Sequence, residues 1–143
     1  GPRCCCGSRG CLEAYAGQLA IMEHYAEQSG QHPDFEEIIC RGKAGEPLAQ
    51  SVLSEAGFYF GVALSNLIKT FEIPDVVIGS PALADSPFME AARSALRDYN
   101  TESLGIHLRL RMGQLPERQY ALGGCYLVFD HMFSRPKLAL TVV

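Results

Sequence analysis

Apolar residues along this chain fall into blocks of differing period, and each block predicts an element. From Cys11 to about Gln28, the residues Leu12, Tyr15, Leu19, Met22 and Tyr25 recur every three or four places. That spacing is the stripe of an amphipathic helix, and Gly30 stops it. A short helix is predicted from Phe35 to Arg41, with Asp34 as its N-cap and Glu37 three residues on, as in a capping box. Gly42 to Pro47 is a turn, and Pro47 suits the first position of a long helix reaching about Phe71. This helix is apolar on more than one face, through Val52, Leu53, Phe58, Phe60, Val62, Leu64, Leu67 and Ile68, so it should be central and buried. Gly57 and Gly61 stand one turn apart inside it, each costing about 1 kcal/mol against Ala. Close approach of another backbone is the expected compensation.

Beyond Ile73-Pro74-Asp75 the period changes. Val76-Val77-Ile78 reads as a fully buried strand ending at Gly79-Ser80-Pro81. Ser86 and Pro87 are an N-cap and first residue for a helix to about Tyr99. Ile106 to Met112 alternates apolar residues with His107, Arg109 and Arg111, the mark of a half-exposed strand. A final helix runs from about Gln119 to Phe133. Helix-strand-helix-strand-helix order predicts an α/β layer with a small parallel sheet. Two strands are few for a whole domain of that class, so the chain reads as a piece of a larger one.

Composition narrows the functions. The 143 residues suit one ordinary domain. With 48% hydrophobic and 20% charged residues, disorder and fibrous structure are excluded. A net charge of −4 argues against a phosphate-binding surface. No apolar run is expected to reach the roughly 18 residues of a membrane span, and the first residues do not read as a secretory signal. Four of the six cysteines crowd into the first eleven residues, which points to metal chemistry in a reducing, cytoplasmic setting rather than to disulfides.

The most informative string is Cys4-Cys5-Cys6-Gly7-Ser8-Arg9-Gly10-Cys11-Leu12-Glu13. Thiolates at this spacing can wrap one Zn²⁺ if the backbone turns sharply between them, and Gly7 and Gly10 supply the turning. Cys4, Cys6 and Cys11 would give three ligands, leaving a fourth to come from elsewhere. A reduced, unligated cluster is the alternative.

This string resembles the zinc loop of the ROK family of repressors, uncharacterised reading frames and sugar kinases. Gly10-Cys11-Leu12-Glu13-Ala14-Tyr15-Ala16 is similar to the family's approach to its next helix. Gly57 to Phe71 with Pro74-Asp75-Val76-Val77-Ile78-Gly79 resembles its long helix and buried strand, and Ala121-Leu122-Gly123-Gly124 its final helix. The resemblance implies an actin-like, ribonuclease-H-like fold of two lobes, of which residues 1–143 are the C-terminal one. It implies structural Zn²⁺ on Cys4, Cys6 and Cys11, with Cys5 a bystander and a His upstream of Gly1 as the fourth ligand. It gives Glu13 the role of accepting hydrogen bonds from sugar hydroxyls, against the alternative of a first-turn Glu favoured by the helix dipole. Gly79 and Ser80 stand where the family's kinases have Gly-Gly close to the nucleotide. Ser80-Pro81 departs from that pattern and resembles the repressor branch, so ATP and Mg²⁺ belong only to the kinase alternative.

The expectation is therefore the effector-binding and oligomerisation part of a sugar-responsive transcriptional regulator, a dimer or tetramer that meets DNA only through an upstream domain. The rival is the C-terminal lobe of an ATP-dependent kinase for a hexose or N-acetylated amino sugar; a plain dimerisation module is the third reading. His24 is read as a surface or half-buried histidine, and His32 as a weak stand-in for the missing ligand. Cys40 and Cys125 are read as buried small hydrophobes. Arg109 and Arg111, on one strand face, could meet phosphate or carboxylate.

Overall fold

A computed structural model describes residues 1–73, 75–99, 109–113 and 118–133. Residues 106–108 of the second expected strand lie outside them. The described chain forms α1 (Glu13–Ala16), α2 (Gln18–Ser29), α3 (Phe35–Lys43), α4 (Pro47–Phe71), β1 (Asp75–Ile78), a 3₁₀ turn (Pro81–Leu83), α5 (Pro87–Tyr99), β2 (Arg109–Met112) and α6 (Arg118–Phe133). Residues up to Gly113 make one compact unit, and α6 belongs to a second.

Local chemistry explains most boundaries. The Asp34 carboxylate accepts from the Glu37 N–H at 2.8 Å, capping α3. Pro47 opens α4 as expected. The Ser86 hydroxyl accepts from the Met89 N–H at 3.3 Å and starts α5. Gly30 ends α2 at φ 70°, a left-handed conformation that glycine adopts without a Cβ clash.

The expected first helix is broken at Gly17, whose ψ of 154° is extended. That break rotates the buried face. Ile21 and Tyr25 go into the core, whereas Leu19, placed on the apolar stripe by periodicity, is 66% exposed.

α4 is the central element. α5, α3, α2 and α1 all pack on it, burying Ala49, Val52, Leu53, Ala56, Leu64 and Ile68. It is long and apolar enough to cross a membrane by length and composition, with a mean hydropathy of 1.2. This corrects the expectation that no such stretch exists. Its neighbours account for the apolarity, because a helix covered on several sides is hydrophobic nearly all round.

The glycine pair behaves as expected. A Cβ on Gly57 would lie 2.8 Å from the Phe88 carbonyl carbon and 2.9 Å from its Cα. One on Gly61 would lie 2.5 Å from the Ala92 carbonyl oxygen and 2.8 Å from the Ala95 Cβ. α5 therefore crosses α4 with its backbone against both glycines.

β1 and β2 pair in parallel, Asp75 opposite Arg109 and Ile78 opposite Met112. The small parallel sheet is the predicted α/β feature, but β1 is not fully buried. Val77 is 61% exposed, because the helices cover one face of the two-stranded ribbon and leave the other open. On that open face Asp75 accepts two bonds from Arg109, at 2.8 and 2.6 Å, and one from Arg111 at 3.4 Å. The paired arginine holds the Asp75 carboxyl below its usual range. The carboxylate expected to meet these arginines is thus the protein's own.

Candidate metal centre

The first eleven residues fold back on themselves. Arg3 and Arg9 form an antiparallel bridge, the Cys4 N–H donates to the Ser8 carbonyl at 2.9 Å, and the Gly7 N–H donates to the Cys4 carbonyl at 3.0 Å. The Gly10 N–H closes the loop on Pro2 at 3.0 Å. Gly7 and Gly10 have φ of 88° and 76°, values at which a side chain is strained, so the predicted turning positions are the ones used. Cys11 leads directly into α1, its carbonyl accepting from the Ala14 N–H.

This knuckle brings Cys4, Cys6 and Cys11 together, with their three sulfurs all within 4.8 Å of one another. Zinc with thiolates at about 2.3 Å in a tetrahedron needs sulfurs about 3.8 Å apart. The Cys6 and Cys11 sulfurs are 3.6 Å apart, so the donor set fits zinc with little rearrangement. Cys5 Sγ lies 4.0 Å from Cys4 Sγ and is outside the trio.

Hydrogen bonding divides the thiols. The Ser8 backbone N–H and then its hydroxyl, donating to Cys6, lower that thiol to about 7. Cys11 is pushed up to about 11, first by its hydrogen bond with Cys6 and then by Cys4. Cys5 is raised by its contact with Cys4. Because the thiolate is the nucleophile, iodoacetamide near neutral pH should label Cys6 of the metal-stripped protein about tenfold or more faster than Cys11. Lowering the pH to about 6 should protonate Cys6 and slow its labelling several-fold. Peptide mass spectrometry reads both rates, and equal labelling of the two sites would contradict the arrangement.

Glu13 is exposed at the first position of α1, two residues beyond Cys11. Gly17, which periodicity passed over as a helix interior, lies against it. A Cβ at Gly17 would sit 2.6 Å from the Glu13 Cδ, so a side chain there would make the exposed carboxylate swing aside. An isolated glycine inside a helical pattern was the available signal.

The other expected site residues lie elsewhere. Gly79 and Ser80 follow β1, where the Gly113 N–H donates to the Ile78 carbonyl at 2.7 Å. A cavity of about 300 Å³ opens between the loop, α1, α2 and α4, lined by Arg3, Tyr15, His24, Glu55 and Tyr59 among others; Glu13 is not in its wall. His24 is half-buried there and 3.8 Å from Glu55, as its surface reading allows. Cys40 and Cys125 are both exposed, which corrects their reading as buried hydrophobes. Cys40 occupies the solvent side of α3, opposite the buried Ile38 and Ile39.

A thiolate knuckle feeding a helix, a long core helix and a parallel strand pair define a lobe of the actin-like class, the fold of the solved structures that match it. The chain belongs to the ROK family, whose pattern matches residues 1–131. It is 28% identical over 135 residues to the xylose repressor of Bacillus subtilis (strain 168), covering 94% of this chain and 35% of that one. Against the DNA-binding transcriptional repressor Mlc of Escherichia coli (strain K12) it is 24% identical, covering 94% and 35%. Among solved structures, the ROK hexokinase from Thermus thermophilus matches with a TM-score of 0.74 and 31% identity, over 92% of this chain and 45% of that one. A ROK family transcriptional regulator, a homologue of the E. coli MLC protein, matches with a TM-score of 0.76 and 27% identity, over 90% and 35%. The chain spans about a third of the length of the xylose repressors it matches.

Proposed function

We propose that residues 1–143 are the C-terminal effector-binding and oligomerisation lobe of a sugar-responsive transcriptional regulator, stabilised by a structural zinc loop. The observation that carries this reading is the cysteine knuckle joined directly to Glu13. Cys4, Cys6 and Cys11 would hold the metal, and a histidine upstream would complete the tetrahedron. Zinc there would supply folding free energy and a rigid loop. The chain's own residues do the rest. α1 fixes Glu13 beside the loop, Gly17 leaves its carboxylate unobstructed, and the carboxylate accepts charge-assisted hydrogen bonds from sugar hydroxyls. Sugar binding then favours one arrangement of the lobes over another, and a DNA-binding domain upstream reads out the difference. Such regulators work in the cytoplasm as dimers or tetramers.

Two features favour a regulator. The xylose repressors and Mlc match nearly the whole chain, and Gly79-Ser80 stands where the resemblance to kinases calls for Gly-Gly, with Ser80-Pro81 departing from that pattern. The kinase reading draws on the hexokinase match at 31% identity. Under it, Gly79 and Ser80 would lie close to ATP and Mg²⁺. Sugar-dependent ATP turnover by the full-length protein would decide for the kinase; operator binding released by sugar would decide for the regulator.

Glu13→Gln in the full-length protein tests the sugar site. Calorimetric titration with xylose, the sugar in the name of several relatives, and then with glucose should show affinity reduced about tenfold or more. The melting temperature should not move, since Glu13 is exposed. Unchanged affinity for the sugar that binds the parent protein would remove Glu13 from the site.

A further inference from the structure

We propose that Cys6 and Cys11 are a reversible dithiol–disulfide pair, joined by a peroxide-class oxidant with expulsion of the metal from the loop. The inference rests on reading the knuckle as a metal site, and it adds to that site a covalent modification with a defined pair of atoms. Of the two sulfur–sulfur hydrogen-bond contacts in the loop, that of Cys6 and Cys11 is the shorter, at 3.6 Å against 4.0 Å for Cys4 and Cys5. A disulfide needs about 2.05 Å, so the sulfurs must close by roughly 1.5 Å. Gly7 and Gly10 lie between the two cysteines, and the loop is exposed on Cys6, Gly7, Ser8, Arg9 and Gly10, so the backbone has room to make that movement.

The competing pair is less suited. Cys4 and Cys5 sulfurs are 4.0 Å apart, but joining adjacent residues closes a small ring across a planar trans peptide, which resists the distortion. Cys40 stands on the solvent side of α3, with no thiol of the cluster among its described contacts.

The chemistry balances without a further reactant. The Cys6 thiolate attacks the peroxide O–O bond, takes one oxygen to become a sulfenic acid, and releases hydroxide, which a proton converts to water. Cys11, released from the metal as a thiolate, then attacks the Cys6 sulfur, forming the S–S bond and displacing hydroxide, which a second proton from solvent converts to water. Two thiols are oxidised and one peroxide is reduced to two waters. Only Cys4 of the three described ligands remains a free thiolate, and one thiolate does not retain the ion. Cys11 is two residues from Glu13, so the loop's oxidised form also loosens the carboxylate proposed to read sugar.

Trypsin makes the pairing readable, because Arg3, Arg9 and Arg41 separate residues 4–9 from residues 10–41. Full-length protein in a Cys40→Ser background, as purified, is treated with hydrogen peroxide. Zinc release is followed with a chromogenic chelator, and the unreduced digest is sequenced by mass spectrometry. The expected result is a cross-link between the two peptides through Cys6 and Cys11, together with release of about one zinc per chain. Dithiothreitol should reverse the link, and Cys5→Ser should behave in the same way. A link through Cys4 or Cys5, a link only between two chains, or full retention of thiols would overturn the pairing. The zinc content before oxidation reports separately on the metal reading, since the cross-link map is read whether or not metal is present.

Discussion

Gly57→Ala is expected to destabilise this lobe by about 3 kcal/mol, the upper end of the range for overpacked positions. On an exposed helix the same change would stabilise by about 1 kcal/mol, because alanine is the better helix former. Here the added methyl group would fall 2.8 Å from the Phe88 carbonyl carbon and 2.9 Å from its Cα. Those are backbone atoms, so no rotamer change relieves the clash and α5 must move away. Moving α5 opens the packing around Phe88, Met89 and Ala92, all buried. The Phe60–Phe88 ring contact, with centroids 5.4 Å apart, would be disturbed as well. Calorimetric unfolding of the full-length protein measures the effect as a lower melting transition for this lobe. A transition equal to or higher than that of the parent would mean the two helices are not in backbone contact.

Cys11→Ser is expected to take zinc content from about one per chain to near zero. Its sulfur is one of three within 4.8 Å of one another, and a serine hydroxyl is a poor ligand at neutral pH. The damage should spread beyond the metal. The knuckle is held by few backbone bonds of its own, among them Cys4 to Ser8 and Gly10 to Pro2, and a loop of that size has little apolar surface to bury. Without the ion, Arg3 and Arg9 should become open to trypsin and the start of α1 should fray, taking Glu13 with it. Elemental analysis and timed proteolysis read the two consequences. Zinc retained at the parental level would exclude Cys11 from the site.

Both expectations draw on features legible in the sequence, for the same reason. A cap, a proline at a helix start, a glycine pair and a tight run of cysteines are local signals, decided by residues a few places apart. Asp34, Pro47, Ser86, Gly57 and Gly61 therefore act in the structure as their spacing suggests. Gly7 and Gly10 mark where the chain must turn, whereas the preference for Cys4, Cys6 and Cys11 over Cys5 came from the resemblance to the family's loop.

What escaped the sequence depends on partners distant along the chain. Leu19 keeps an apolar stripe in periodicity, yet with the break at Gly17 it is Ile21 that joins the expected Tyr25 in the core, and Leu19 faces out. Val76-Val77-Ile78 looks buried on both faces, but a ribbon of two strands leaves Val77 outward. Cys40 carries no charge to mark it as a surface residue, and only the position of Ile38 and Ile39 reveals which side of α3 is out. The place of Glu13 beside Gly17 is likewise a matter of side-chain packing, which spacing alone does not contain. The actin-like class was not readable from two strands; it came from the likeness of the loop and the long helix to a family.

Zinc-edge X-ray absorption of the full-length protein, purified without added metal, tests the central claim most directly. The account predicts a four-ligand shell with three sulfurs at about 2.3 Å and one lighter nitrogen or oxygen donor near 2.1 Å, falling to two sulfurs or to no bound zinc in Cys6→Ser. A shell of nitrogen and oxygen alone, or full-length protein carrying no zinc, would contradict it.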